Sequence, residues 1–222
     1  IMPSLVGSEM CIRDRYNIPF IGLYSACATF TEELILASNF VDCSGYKKIL
    51  TVVSSHNLTA EKQFRYPVEY GAPRPHTSTF TTTGAIATLI GKKEGNIKIE
   101  SSTIGRVVDM DVSDANNMGA VMAPAAASTL VEHLNDLKRE PSYYDLILTG
   151  DLSRYGKTIM KDLLKEENQK YNEYDDCGCL LYDVTQNVYQ GGSGPVCNGL
   201  VSFGYIYLSL IHISEPTRLG MI

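Results

Sequence analysis

Apolar positions along this chain follow two periods, and their succession predicts a mixed α/β protein. Phe30, Leu34, Ala37 and Val41 fall at helical spacing on one face, and Gly45 stands where that helix should stop. Residues 49–53 (ILTVV) form a compact run rich in β-branched side chains, the pattern of a central strand buried on both faces. Residues 17–22 read as a short strand end entering a turn. The three segments together predict a strand–helix–strand unit with a parallel pair and a right-handed crossover.

Residues 57–80 are polar and contain Pro67, Pro73 and Pro75, so a long loop is expected there, of the kind that serves function or an interface. Residues 81–90 (TTTGAIATLI) return as a strand. Lys92 to Asn96 form a turn flanked by Gly91 and Gly95, and residues 97–108 are a further strand region. An alanine-rich amphipathic helix is predicted over 123–137, with Pro124 in its first turn. A strand over 142–149, a helix over 155–167 and a hairpin over 180–189 follow. Residues 191–207 begin with a glycine-rich turn that opens a helix. This last element echoes the first: GLYSACATFTEELILA and GGSGPVCNGLVSFGYI each place a small-residue turn, a cysteine and then an apolar helix. Such an echo points to an internally duplicated α/β fold.

The two ends break the pattern. Residues 1–15 (IMPSLVGSEMCIRDR) have neither period and no long apolar core of a signal peptide, and residues 208–222 (LSLIHISEPTRLGMI) abruptly follow a well-patterned helix. Both resemble translated sequencing-adapter DNA, so the protein proper is expected to be residues 16–207, with 1–15 and 208–222 non-native. Composition changes little else. With 44% hydrophobic and 20% charged residues the chain reads as a globular protein, and no run approaches a transmembrane span. A formal charge of −6 argues against nucleic acid or an anionic membrane as the primary electrostatic partner. Six cysteines lack zinc-type pairing; Cys177 and Cys179 would share one face of a strand, and no metal site is expected.

Cys27 is the candidate for chemistry. It lies at the first turn of its helix, where free backbone amides and the helix dipole lower a thiol's pKa and bind anions. That position suits an acyl-accepting thiolate beside an oxyanion hole, and equally suits a tight sheet-to-helix turn that accepts only a small residue.

The GLYSACAT turn resembles the nucleophile turn of thiolases and ketoacyl synthases, and TTTGAIA resembles the strand that follows it, with Gly84 kept and Thr83 at an aspartate position. SSHN at 54–57, EKQFRYPVEYG at 61–71, TIGRVVDM at 103–110, NMGAVMAPAA at 117–126, SYYDLILTGDL at 142–152 and GSGP at 192–195 together resemble the stage V sporulation protein AD family of spore-forming Firmicutes. The resemblance implies a thiolase-like duplicated αβαβα layered fold truncated at both ends. Residues 16–95 would be the remainder of its first half and 96–207 an incomplete second half. It further implies binding of dipicolinic acid, or its calcium chelate, for uptake into the developing spore. The partners would be the membrane-embedded proteins of the spore channel operon, and the location peripheral at the inner membrane of the forespore. A homodimer paired through the strand near 49–53 is implied too, and no cofactor.

Thiolase-fold catalysts pair the cysteine with histidine and asparagine from the second half. The matching positions here hold Gly150 and Gly192, and no histidine occurs between Leu134 and Tyr207. The expectation is therefore a non-catalytic protein, the alternative being an acyltransferase with Cys27 as nucleophile. A pocket for a flat dicarboxylate would draw on Cys27, Ala28, His56, Asn57, Gly192 and Ser193, with Arg65 and Arg106 as candidate cations. His56 is open between a pocket role and a structural hydrogen-bonding role. His76 is expected to be solvated and His133 to be a boundary residue.

Overall fold

The computed structural model describes residues 16–64, 69, 71, 73–92, 97–167, 171, 173–212 and 219–221. Its elements are α1 (Thr29–Cys43), β1 (Lys48–Ser55), α2 (Asn57–Phe64), β2 (Phe80–Thr81), β3 (Gly84–Gly91) and α3 (Met118–Leu137). They continue as β4 (Leu146–Thr149), α4 (Ser153–Glu166), β5 (Tyr174–Asp176), α5 (Cys177–Leu181), β6 (Gly192–Ser193), α6 (Cys197–His212) and β7 (Leu219–Met221).

The strands fall into three groups. β1 pairs antiparallel with β3, β2 pairs parallel with β6, and β4 is the middle of a parallel β5–β4–β7 sheet. α6 and the residue before it join the two halves of the core. On one side Val196, Leu200 and Phe203 pack against Phe30, Val53 and Ile86; on the other Cys197 and Val201 pack against Leu146, Leu148 and Cys177. A third cluster fills the space between α3, α4 and β4 with Ala123, Leu130, Leu134, Ile147, Met160 and Leu164. Full burial of a side chain such as Phe30 or Ile147 stabilises the fold by about 2–3 kcal/mol.

α1 buries the predicted positions Phe30, Ala37 and Val41, and ends at Ser44 ahead of Gly45, whose φ of +79° is the left-handed turn that closes a helix. α3 and α4 cross at glycine. A Cβ on Gly156 would stand 2.6 Å from the Gly119 carbonyl oxygen, and one on Gly119 would meet the Leu152 carbonyl and the Ser153 hydroxyl. Close approach here fixes where the loop 150–153, between β4 and α4, can lie.

Several expectations are corrected. Residues 17–25 form no strand, because no described segment offers them a partner, so the parallel strand–helix–strand unit does not form; β1 is antiparallel to β3 instead. β1 is buried on one face only: Thr51 and Val53 point inward while Leu50 and Val52 are about 60% exposed. The loop expected from 57 begins as helix α2, and Pro67 lies outside the described residues. Residues 97–117 are extended but unpaired, and run along α3 through Thr103–His133 and Arg106–Glu132 contacts rather than joining a sheet. α3 starts earlier than predicted, at Met118, where the Asn117 side chain accepts from the Ala120 amide, so Pro124 falls inside the helix. The expected hairpin over 180–189 is the end of α5 followed by turns, and Cys177 and Cys179 lie on that short helix rather than on a strand. Asp176 caps it by accepting from the Cys179 amide. Among the described residues no helix is long and apolar enough to cross a membrane.

Candidate functional site

Cys27 is the middle residue of a single 3-10 turn, Ala26–Ala28, leading directly into α1. Ala26 has a φ of +47°, a conformation that costs an L-residue energy and commonly marks a functional turn. Thr29 holds the turn from both sides: its hydroxyl donates to the Ala26 carbonyl at 2.7 Å and accepts from the Ser25 amide at 3.0 Å. The Ala28 amide donates to the Ser25 carbonyl at 2.9 Å, so that amide is already engaged.

The group facing the thiol is Asp151, a buried aspartate on the loop after β4. Burial pushes the Cys27 thiol far above its ordinary pKa, and the neighbouring Asp151 carboxylate, both as a negative charge and as a hydrogen-bond partner, pushes it further; the Gly194 amide opposes this only in part. Burial also raises Asp151 itself, to about 6, against the stabilising contacts from Cys27 and Gly194. The Gly194 amide donates to Asp151 Oδ2 at 3.0 Å. Gly194 can turn its amide inward because its φ of +95° is open to glycine, and because a Cβ there would press on Thr81 at 3.1 Å. The resulting pair is a neutral thiol and a carboxylate that titrates near neutrality. A reactive thiolate needs the opposite surroundings, a cation or an imidazolium.

A second buried aspartate positions the first. Asp176 Oδ2 accepts from the Thr149 hydroxyl at 2.7 Å and the Leu152 amide at 2.9 Å; Oδ1 accepts from the Ser153 amide at 3.0 Å and the Cys179 amide at 3.2 Å. Those bonds clamp both sides of the 150–153 turn, including Ser153 with its φ of +64°. Burial nonetheless raises Asp176 above the usual carboxylate range. Gly150 lies against the Asn198 side chain, whose amide nitrogen is 3.6 Å from where a Cβ would be, an ordinary van der Waals contact.

The other anticipated residues divide. Asn57 reaches the neighbourhood: its amide donates to the Thr83 hydroxyl at 2.9 Å and its Nδ2 to the Thr81 carbonyl at 3.1 Å, beside the strand that Gly194 touches. Ser55, not singled out from the sequence, donates to the Thr82 carbonyl at 2.6 Å on the same side. His56 is exposed, and its side chain takes no part in these bonds. Gly192 and Ser193 form β6, where the Ser193 carbonyl accepts from the Thr82 amide; the missing Cβ of Gly192 would touch Tyr182, Cys197 and Leu181. Their backbone thus builds the wall from which Gly194 projects. Arg106 is in an exposed ion pair with Glu132, and Arg65 lies outside the described residues. His76 is exposed, as expected, and stacks on Tyr189. His133 is the boundary residue predicted, bonded to Thr103 and Tyr144, with burial and Arg139 lowering its pKa.

Asp151 is the residue the sequence reading passed over. Its signal was a charged residue placed shortly after the compact strand LILT, just before the start of a helix.

The sequence profile of the stage V sporulation protein AD (SpoVAD) family matches residues 2–216. The chain belongs to that family. It is 47% identical to stage V sporulation protein AD of Bacillus subtilis (strain 168) over 195 residues, covering 87% of this chain and 58% of the relative, so it spans little more than half the length of that protein. Among solved structures it resembles a cysteine-to-serine variant of Xanthomonas campestris OleA with bound lauric acid and lauroyl-CoA, at 16% identity and a TM-score of 0.63 over 90% of this chain and 60% of that one. It also resembles a 3-oxoacyl-(acyl-carrier-protein) synthase III, at 11% identity and a TM-score of 0.62 over 96% of this chain and 68% of that one. At these identities the likeness establishes the thiolase-like α/β fold.

Proposed function

We propose that this SpoVAD-family chain belongs to a non-catalytic protein that binds dipicolinic acid, or its calcium chelate, for uptake into the developing spore. It would act beside membrane-embedded channel proteins, peripheral to the inner membrane of the forespore. The observation that carries this reading is the partner of Cys27. An acidic side chain faces the thiol, and the charge and burial there hold it protonated, which suits a polar wall and disfavours acyl transfer. Asn57 and the thiol are the neutral groups offered to a ligand carboxylate. Asp151 in its protonated form would be a further donor.

Calorimetric titration with dipicolinate, with and without calcium, tests the proposal. Cys27→Ala and Asn57→Ala should each weaken binding about tenfold, the scale of one lost hydrogen bond to a charged group. No heat of binding to the unsubstituted protein at millimolar ligand would refute it. Incubation with acyl-CoA followed by intact-mass measurement separates the acyltransferase reading: a stable adduct on Cys27 would favour that enzyme, and an unchanged mass is expected.

A further inference from the structure

A groove of about 290 Å³, whose lining includes neither Cys27 nor Asp151, lies between the stretch before β2, the start of α4 and the turns that precede β6. It is close to the lower end of the roughly 300–1,000 Å³ usual for small-molecule sites. Its chemistry sets it apart from the rest of the surface. In a chain of net charge −6, none of its lining residues is acidic. Its one cation, Arg154, has no ion pair among the described residues, whereas Arg74, Arg106 and Arg139 pair with Glu61, Glu132 and Glu100. One wall is aromatic: the His76 and Tyr189 rings stack with centroids 4.5 Å apart and planes 30° from parallel. The Asn187 side chain adds an amide at the rim.

The groove is also pre-organised. Gln190 is buried and ties its three walls together. Its Nε2 donates to the His76 carbonyl at 2.9 Å, its Oε1 accepts from the Tyr155 amide at 3.2 Å, and its carbonyl accepts from the Arg154 amide at 3.3 Å. Those last two bonds occupy amides at the start of α4, and Asp176 occupies the Leu152 and Ser153 amides, so an anion here would be met by side chains and not by the helix end. Tyr189 holds its ring in place from a backbone φ of +45°, a strained conformation for an aromatic residue.

We propose that this groove binds a small planar carboxylate, with the Arg154 guanidinium gripping the carboxylate and the ring lying along the His76–Tyr189 wall. A guanidinium matches a carboxylate through two parallel hydrogen bonds, and an aromatic ring gains most from an offset face against another ring. A phosphate would leave the aromatic wall unused and meet only one cation. The inference is independent of dipicolinate binding at Cys27. The two sites are nonetheless joined by five residues, 190–194, which run from the groove's central clamp to the amide that holds Asp151.

The test is an NMR titration of the full chain, with isophthalate as the non-chelating planar probe and inorganic phosphate as the control anion. Isophthalate should shift the His76 and Tyr189 ring signals, while the Asn57 side-chain amide reports the Cys27 site separately. Arg154→Gln should raise the dissociation constant about tenfold or more, as expected for loss of a bidentate charged contact. Tyr189→Asn, which tolerates the same backbone conformation, should weaken isophthalate but leave any phosphate effect unchanged. Ring signals unmoved at millimolar isophthalate, or phosphate competing on equal terms, would overturn the assignment whatever happens at Asn57.

Discussion

Asp151 is a buried carboxylate with no cation beside it among the described residues, held by one backbone amide and one thiol. Its pKa in the fold is raised from 3.8 to about 6 by burial, and an unfolded chain returns it to the lower value. Between these two values the folded state holds the extra proton, so this group's contribution to stability grows as pH falls from 6 to 4 and is a constant penalty above. Asp151→Asn keeps an acceptor for the Gly194 amide and removes the charge. The variant should therefore be more stable than the parent at pH 7.5, by about 1–3 kcal/mol given a shift near two units, and the gain should vanish near pH 4. Thermal melts of both proteins across that range measure the difference directly. The same charge bears on ligand binding. A dicarboxylate entering beside an ionised Asp151 meets repulsion, so dipicolinate should bind more tightly at pH 5.5 than at 7.5, and Asp151→Asn should flatten that dependence.

At the scale of elements, the site depends on how closely α3 and α4 approach. Gly119 and Gly156 bring the two backbones into contact, and the 150–153 turn is trapped between that crossing and Asp176. Gly119→Ala would drive a methyl group into the Leu152 carbonyl, forcing the helices apart at a cost of about 1–3 kcal/mol. Chemical denaturation should show that loss, and dipicolinate affinity should fall as well, because the carbonyl displaced belongs to the residue after Asp151. The sequence made the helices legible: the 3.6 period located α1, α4 and most of α3, since each buries one face. It located β1, β3 and β4 but misread how they are covered and paired, because β1 is covered on one side only and residues 97–108 have strand-like composition with no neighbour to pair with among the described residues. Pairing depends on distant segments, which no local pattern records. For the same reason Cys27 and Gly194 could be picked out as turn residues, while the Cys27–Asp151 contact, which spans over a hundred positions, could not.

Over the whole molecule, the uncovered side of the β1–β3 pair is the feature that bears on assembly. The register sets Leu50 opposite Leu89 and Val52 opposite Ala87, so these side chains share one face, and Leu50, Val52 and Leu89 are each about 60% exposed. The opposite face packs Val53 and Ile86 against α1 and α6. An apolar strip across two strands is unfavourable in water, and a face of this kind usually marks a contact surface. It coincides with the strand through which a homodimer is expected. The chain should accordingly sediment as a concentration-dependent dimer, and Val52→Glu, which places a charge in the middle of the strip without touching the inner face, should shift it to monomer. Sedimentation velocity at several concentrations distinguishes the outcomes. Dipicolinate titration of the same variant then shows whether pairing and ligand binding are coupled. Because the inner side of β1 leads through Ser55 to the Thr82 carbonyl and the wall beside Gly194, loss of the dimer should lower affinity only if pairing steadies that strand end. A monomeric variant with unchanged affinity would show that the Cys27 site is complete within one chain.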